Sequence, residues 1–128
     1  MQEILRTFYE KLDAGQICAF RCKGCGKVMF PPRGICPQCG KYDCEWVDIP
    51  RKGKLLFSAV GKSLFYGRTY IACTVELDVG CLTGGELILT DFDFSRPESI
   101  LEYNGKNQRV RLEIRKEDFG AHVVFLLE

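Results

Sequence analysis

The stretch RCKGCGKVMFPPRGICPQCGK, residues 21–41, decides how this chain is read, because it gathers four cysteines into two short pairs. Cys22 and Cys25 form one Cys-x-x-Cys pair, Cys36 and Cys39 the other, with ten residues between the pairs and a glycine, Gly26 or Gly40, directly after each. In a Cys-x-x-Cys-Gly knuckle the chain turns tightly enough for backbone N–H groups to point at the sulfurs, and glycine supplies the positive φ of that turn. Two knuckles joined by a short hairpin set four thiolates at tetrahedral positions about 2.3 Å from a zinc ion. Such a site is closed. With no position left for water, the ion is structural, one Zn2+ per chain held by Cys22, Cys25, Cys36 and Cys39, and not hydrolytic.

The residues around the cysteines explain why a metal is needed. Residues 18–44 are rich in Cys, Gly, Pro and Lys, and Met29, Phe30 and Ile35 are the only large apolar side chains between the pairs. A segment this short builds no core of its own and needs a metal or a disulfide. Metal binding supplies on the order of 10–16 kcal/mol of folding free energy, far more than burial offers here. Iron is the chemical rival, since the same knuckle pair occurs in rubredoxins, where it makes an electron carrier. Rubredoxins separate their knuckles by many more residues, whereas ten make only a hairpin. Cys44 lies close enough behind the second knuckle to compete as a ligand, and Cys18, Cys73 and Cys81 read as small packed hydrophobes.

Ahead of this segment, Ile4, Leu5, Phe8, Tyr9 and Leu12 recur at helical spacing, with charged residues between them, and the pattern stops at Ala14-Gly15. This predicts an amphipathic helix over residues 2–13, capped by Gly15. Its apolar stripe packs either on its own chain or on a partner. From Trp46 onward the texture changes to five short runs rich in β-formers: KLLFSAVG (54–61), TYIACTVEL (69–77), ELILT (86–90), RVRLEI (109–114) and HVVFLL (122–127). Turn residues separate them at Asp78-Val79-Gly80, Gly84-Gly85, Arg96-Pro97 and Asn104-Gly105. Five strands, with a short helix expected within 93–105, fit an OB-type Greek-key barrel better than a sandwich. The expected organisation is mainly β: an N-terminal helix (1–17), a rubredoxin-like zinc ribbon (18–45) and an OB-fold domain (46–128).

Eighteen basic and seventeen acidic side chains leave a net charge of +1, so no global field draws the chain to nucleic acid or anionic lipid. Locally, residues 51–70 carry Arg51, Lys52, Lys54, Lys62 and Arg68 with no acid, while residues 71–128 hold eleven acids against six bases. No window approaches the ~20 apolar residues of a membrane span, and no apolar run with a small-residue cleavage site opens the chain. The expected location is the cytoplasm, where close-spaced cysteines bind metal more often than they form disulfides. The single histidine, His122, and Cys73 both fall in strand runs without an activating context, and nothing resembles a phosphate loop or a nucleophile elbow. The chain is not expected to catalyse a reaction alone.

The run CAFRCKGCGKVMFPPRGICPQCG, followed by CEWVDIPRKGKLLFSAV and YIACTVELDVG, closely resembles the zinc-ribbon plus OB-fold family first catalogued as domain of unknown function thirty-five. The resemblance covers nearly the whole chain. It rests on a leading helix ending at Gly15, Arg21-Cys22, Phe30-Pro31-Pro32-Arg33, Cys36-Pro37-x-Cys39-Gly40, Trp46, Gly53-Lys54 and Glu76-Leu77-Asp78. It implies a non-catalytic subunit that bridges the chains of a thiolase, acyltransferase or hydroxymethylglutaryl-CoA synthase-like enzyme and helps form its coenzyme A site. Coenzyme A needs cations for its phosphates and flat apolar faces for adenine, which makes Arg33, Lys54, Lys62, Phe65, Tyr66 and Arg68 the candidate contacts. The alternative is a single-stranded nucleic-acid-binding module, since OB barrels and zinc ribbons both serve there. The near-neutral charge and the acidic C-terminal half argue against it.

Overall fold

The computed structural model describes residues 2–33, 36, 38, 40, 43–63, 67–118 and 120–128. Helix α1 (Gln2–Asp13) forms where the periodicity expects it. Phe8 and Leu12 are buried, while Leu5 and Tyr9 remain 39% and 51% exposed, so the stripe divides between its own chain and solvent. Phe8 meets Phe30 edge-on at a ring-centroid distance of 5.6 Å. The helix ends at Gly15, which sits at φ +84°. Two cations then reach its C-terminal carbonyls: Arg51 donates to the Gly15 carbonyl at 2.6 Å and Lys116 to that of Asp13 at 3.2 Å. They satisfy orphan acceptors at the negative end of the helix dipole.

Strands β1 (Cys18–Cys22), β2 (Val28–Met29) and β3 (Cys44–Asp48) make an antiparallel sheet in the order β2-β1-β3. One face of the β1–β3 pair carries three cross-strand partners: Cys18 opposite Asp48, Phe20 opposite Trp46 and Cys22 opposite Cys44. The Phe20 and Trp46 rings lie 4.3 Å apart, and the Lys11 ammonium stands 5.3 Å above the Trp46 ring. Trp46, where the texture of the sequence changes, therefore belongs to the ribbon sheet.

The remaining strands, β4 (Lys52–Ser63), β5 (Arg68–Leu77), β6 (Leu82–Ile88), β7 (Arg109–Glu117) and β8 (Gly120–Leu127), close a barrel in the order β4-β5-β6-β8-β7. Strand β6 runs parallel to β8, and β4 closes on β7 through the pair Lys52 and Arg111. This is the five-stranded Greek-key arrangement expected. A 3-10 helix, η1 (Pro97–Tyr103), fills the β6–β7 connection, with Pro97 in its first turn and Ile100 buried. The Asn104 amide after it accepts from the Ser58 backbone N–H and hydroxyl, both at 2.8 Å, and donates to the Ser58 carbonyl at 3.1 Å. That clamp fixes the connection onto β4.

Alternate positions of the strands fill the barrel: Ile71, Val75, Leu77, Leu87, Leu112 and Phe125 are no more than 2% exposed. Burying each such side chain stabilises the fold by about 1.5–3 kcal/mol. The third barrel strand departs from the sequence expectation. It begins at Leu82, not Glu86, and it includes Gly84-Gly85, which had the look of a turn. The reason is packing. A Cβ on Gly85 would lie 2.6 Å from Cε2 of Phe125, and one on Gly84 3.2 Å from the Cys73 carbonyl, so glycine here makes room for a neighbour.

Candidate metal centre and neighbouring clefts

The glycines that follow the two cysteine pairs are set alike. Gly26 donates to the Cys22 carbonyl and Gly40 to the Cys36 carbonyl, each at 2.8 Å, and the glycines take φ +80° and +75°. These turns bring the sulfurs of Cys22, Cys25 and Cys36 within 4.8 Å of one another, with Cys25 and Cys36 at 3.6 Å. Four thiolates placed tetrahedrally about 2.3 Å from an ion lie about 3.8 Å apart, so the described three are spaced as ligands of one metal. Cys39, the expected fourth, lies outside the described residues. Cys22 and Cys36 are fully buried and Cys25 is exposed, which places the cluster at the edge of the ribbon.

The other cysteines separate by surroundings. Burial, and then the nearby sulfurs of Cys22 and Cys36, push the Cys44 thiol up. The sequence places Cys44 near the knuckle but not against a particular ligand; the cross-strand register supplies that. Cys18 is buried as expected, yet its thiol also donates to Asp48 at 3.2 Å. Burial pushes Cys73 up to about 12. Its thiol stays protonated and a poor nucleophile, although it shares a cleft with His122. Burial likewise lowers His122, opposed by the carboxylates of Glu117 and Glu86.

The candidate coenzyme A contacts fall into two places. Lys62 and Arg68 sit near the far end of the β4–β5 pair, where Lys62 is opposite Thr69. Phe65 and Tyr66, between them in sequence, lie outside the described residues. Lys54 is eight residues back along β4, roughly 25 Å away at ~3.3 Å per residue, and faces Glu76 at 3.9 Å. Arg68 is held by Glu86 through bonds of 2.7 and 3.0 Å, with Glu117 at 3.7 Å. Arg33 stands elsewhere. It lines a cleft of about 330 Å³ between ribbon and barrel, together with Lys27, Phe30, Gly80 and Leu82. Both cations of this cleft are exposed, and among the described residues neither is paired with a carboxylate. A second cleft, of about 490 Å³, opens between α1 and strands β5, β6 and β8, lined by Phe8, Tyr9, Phe30, Tyr70, Glu86 and His122.

Residues 10–43 match the family model described as ChsH2, rubredoxin-like zinc ribbon domain. The chain is 34% identical over 90 residues to a DUF35 domain-containing scaffold protein of Methanocaldococcus jannaschii, a match covering 66% of this chain and 64% of that protein. The chain is thus similar in sequence to DUF35 domain-containing proteins. A second DUF35 domain-containing scaffold protein, from Methanothermobacter thermautotrophicus, is 28% identical over 132 residues, which cover 91% of this chain and 87% of the relative. Among solved structures, the Ltp2-ChsH2(DUF35) aldolase matches with a TM-score of 0.72 and 19% identity over 95% of this chain and 92% of that one. A DUF35-family protein of unknown function from Sulfolobus solfataricus matches with a TM-score of 0.60 and 11% identity over 98% and 85%. At these identities the two structures establish the DUF35 fold: helix, ribbon and barrel along one chain.

Proposed function

We propose that this chain is a non-catalytic, zinc-binding subunit of an acyl-CoA enzyme of the thiolase type, bridging catalytic chains and contributing to their coenzyme A site. The catalytic enzyme is a thiolase, an acyltransferase or a hydroxymethylglutaryl-CoA synthase-like protein. Two relatives are named as scaffold proteins, and a chain of the same fold belongs to the Ltp2-ChsH2 aldolase, which supports a role beside an enzyme. Zinc is held by Cys22, Cys25, Cys36 and Cys39; the ion supplies a rigid joint and no open coordination position.

The observation that carries the coenzyme A reading is the cleft with Lys27 and Arg33 at the junction of ribbon and barrel. Exposed, carboxylate-free cations suit phosphate oxygens, and Phe30 and Leu82 beside them offer apolar surface. Lys62 extends the basic surface at the other end of the β4–β5 pair, and Phe65 and Tyr66, which follow it in sequence, are the proposed aromatic contacts. Lys54 and Arg68 contribute less, because each already faces a carboxylate. The test is co-expression with a thiolase-superfamily enzyme of the same genome. A stable complex that loses coenzyme A affinity when Lys27 and Arg33 are reversed to Glu supports the reading; an enzyme that neither binds nor needs this chain contradicts it.

A further inference from the structure

The cysteine that the metal site leaves over stands where a cross-strand bond can form. Lys23 donates to the Asp43 carbonyl at 2.9 Å, which marks that pair as hydrogen-bonded in the β1–β3 ladder. Antiparallel pairs alternate, so Cys22 and Cys44, the next pair along, are non-hydrogen-bonded. The Cys22 N–H confirms this by turning away from β3 to donate to Lys27 at 2.9 Å. Residues so paired have Cα atoms about 4.5 Å apart and their side chains on one face. That separation lies at the short end of the range a disulfide spans, and the register sets the two cysteines directly opposite each other.

We infer that Cys22 and Cys44 are a redox pair: a peroxide joins them as a cross-strand disulfide, which withdraws Cys22 from the metal and releases the ion. Of the two, Cys44 is half-buried where Cys22 is fully buried, so it is the one a peroxide reaches; its thiol gives up its proton as it reacts, which makes the step slow. Its sulfur attacks one peroxide oxygen, the O–O bond breaks, and a sulfenic acid and one water result. The Cys22 sulfur then attacks the Cys44 sulfur, the S–S bond forms, and the S–O bond breaks to give a second water. Two electrons pass from the two sulfurs to the peroxide; the Cys44 thiol supplies one proton, and solvent supplies the other, because Cys22 leaves the metal as a thiolate. The zinc leaves as the same divalent ion. The inference rests on the metal-site reading and not on the identity of any partner enzyme.

The experiment treats the full, metal-loaded chain with hydrogen peroxide, follows released zinc with a chromogenic chelator, and maps disulfides by mass spectrometry after thiols are blocked. A Cys22–Cys44 cross-link growing in step with zinc release is expected. Cys44→Ser should keep its metal before treatment, lack that cross-link, and release zinc several-fold more slowly. Zinc release with disulfides confined to other cysteine pairs, or with none, overturns the inference, and this readout on the unmutated chain does not depend on the variant folding. Metal content before treatment tests the metal site separately.

Discussion

The guanidinium of Arg68 grips the carboxylate of Glu86 through two hydrogen bonds, of 2.7 and 3.0 Å, and the carboxylate is almost wholly buried. Glu86 on β6 is flanked by Ala72 on β5 and Val124 on β8, so this ion pair is anchored where the antiparallel half of the barrel meets its parallel pair. Removing the cation strands a buried charge. Arg68→Met is predicted to destabilise the chain by about 2 kcal/mol, discounted for the part of the arginine that meets solvent. Urea unfolding checks this. Glu86→Gln, which leaves behind only the part-exposed Arg68 cation with Glu117 still 3.7 Å away, should cost less, and Arg68→Met combined with Glu86→Gln should recover part of the loss.

Glycine at two barrel positions is predicted to be irreplaceable by packing. An added Cβ at Gly53 would sit 2.7 Å from both the Glu76 carbonyl oxygen and Cγ1 of Val75, and one at Gly85 2.6 Å from Phe125. Gly85→Ala should cost about 1–3 kcal/mol, since a ring has some room to shift. Gly53→Ala should cost more, because backbone must move. Thermal unfolding of the two variants gives the order.

Acid should weaken the fold through His122. Burial, opposed by Glu117 and Glu86 and reinforced by Arg115 and Arg68, lowers its folded pKa below the ordinary 6.5. The unfolded chain then binds a proton more readily than the folded one, so stability holds above 6.5 and declines as pH falls through that value. His122→Gln should flatten this part of the profile, measured by urea unfolding between about pH 7.5 and 5.5 on metal-saturated protein. An unchanged slope in the variant would show that another group is responsible.

Coenzyme A affinity, measured on the complex with the partner enzyme, should fall roughly tenfold or more when Lys27 and Arg33 are both reversed, and should weaken with salt. Reversing Lys54 should have a smaller effect, since it already faces Glu76. Equal losses from both changes would extend the ligand from the cleft to Lys54 on β4.

The parts of the fold with a local signal were legible in the sequence. Periodicity and Gly15 gave the helix, the paired Cys-x-x-Cys-Gly runs gave the knuckles, and five apolar runs gave the barrel. What escaped depends on contacts between distant residues. Gly84-Gly85 looks like a turn until Phe125 is brought against it. The charge count of residues 51–70 reads as a basic surface, yet Lys54 and Arg68 meet Glu76 and Glu86, both from the acidic half of the chain. The opposition of Cys22 and Cys44 needed the register of β1 against β3.

The account depends most on a tetrathiolate ion that holds a coreless ribbon in shape. Trp46 is the chain's only tryptophan and lies in the ribbon sheet against Phe20, under Lys11, so its fluorescence reports on that sheet alone. The deciding measurement titrates metal out of the purified chain with a chelator while following Trp46 emission. The account predicts that one equivalent of zinc leaves and that the emission shifts to that of a solvent-exposed indole in step with its loss. Emission unchanged after complete metal removal, or a chain that never held metal, would contradict it.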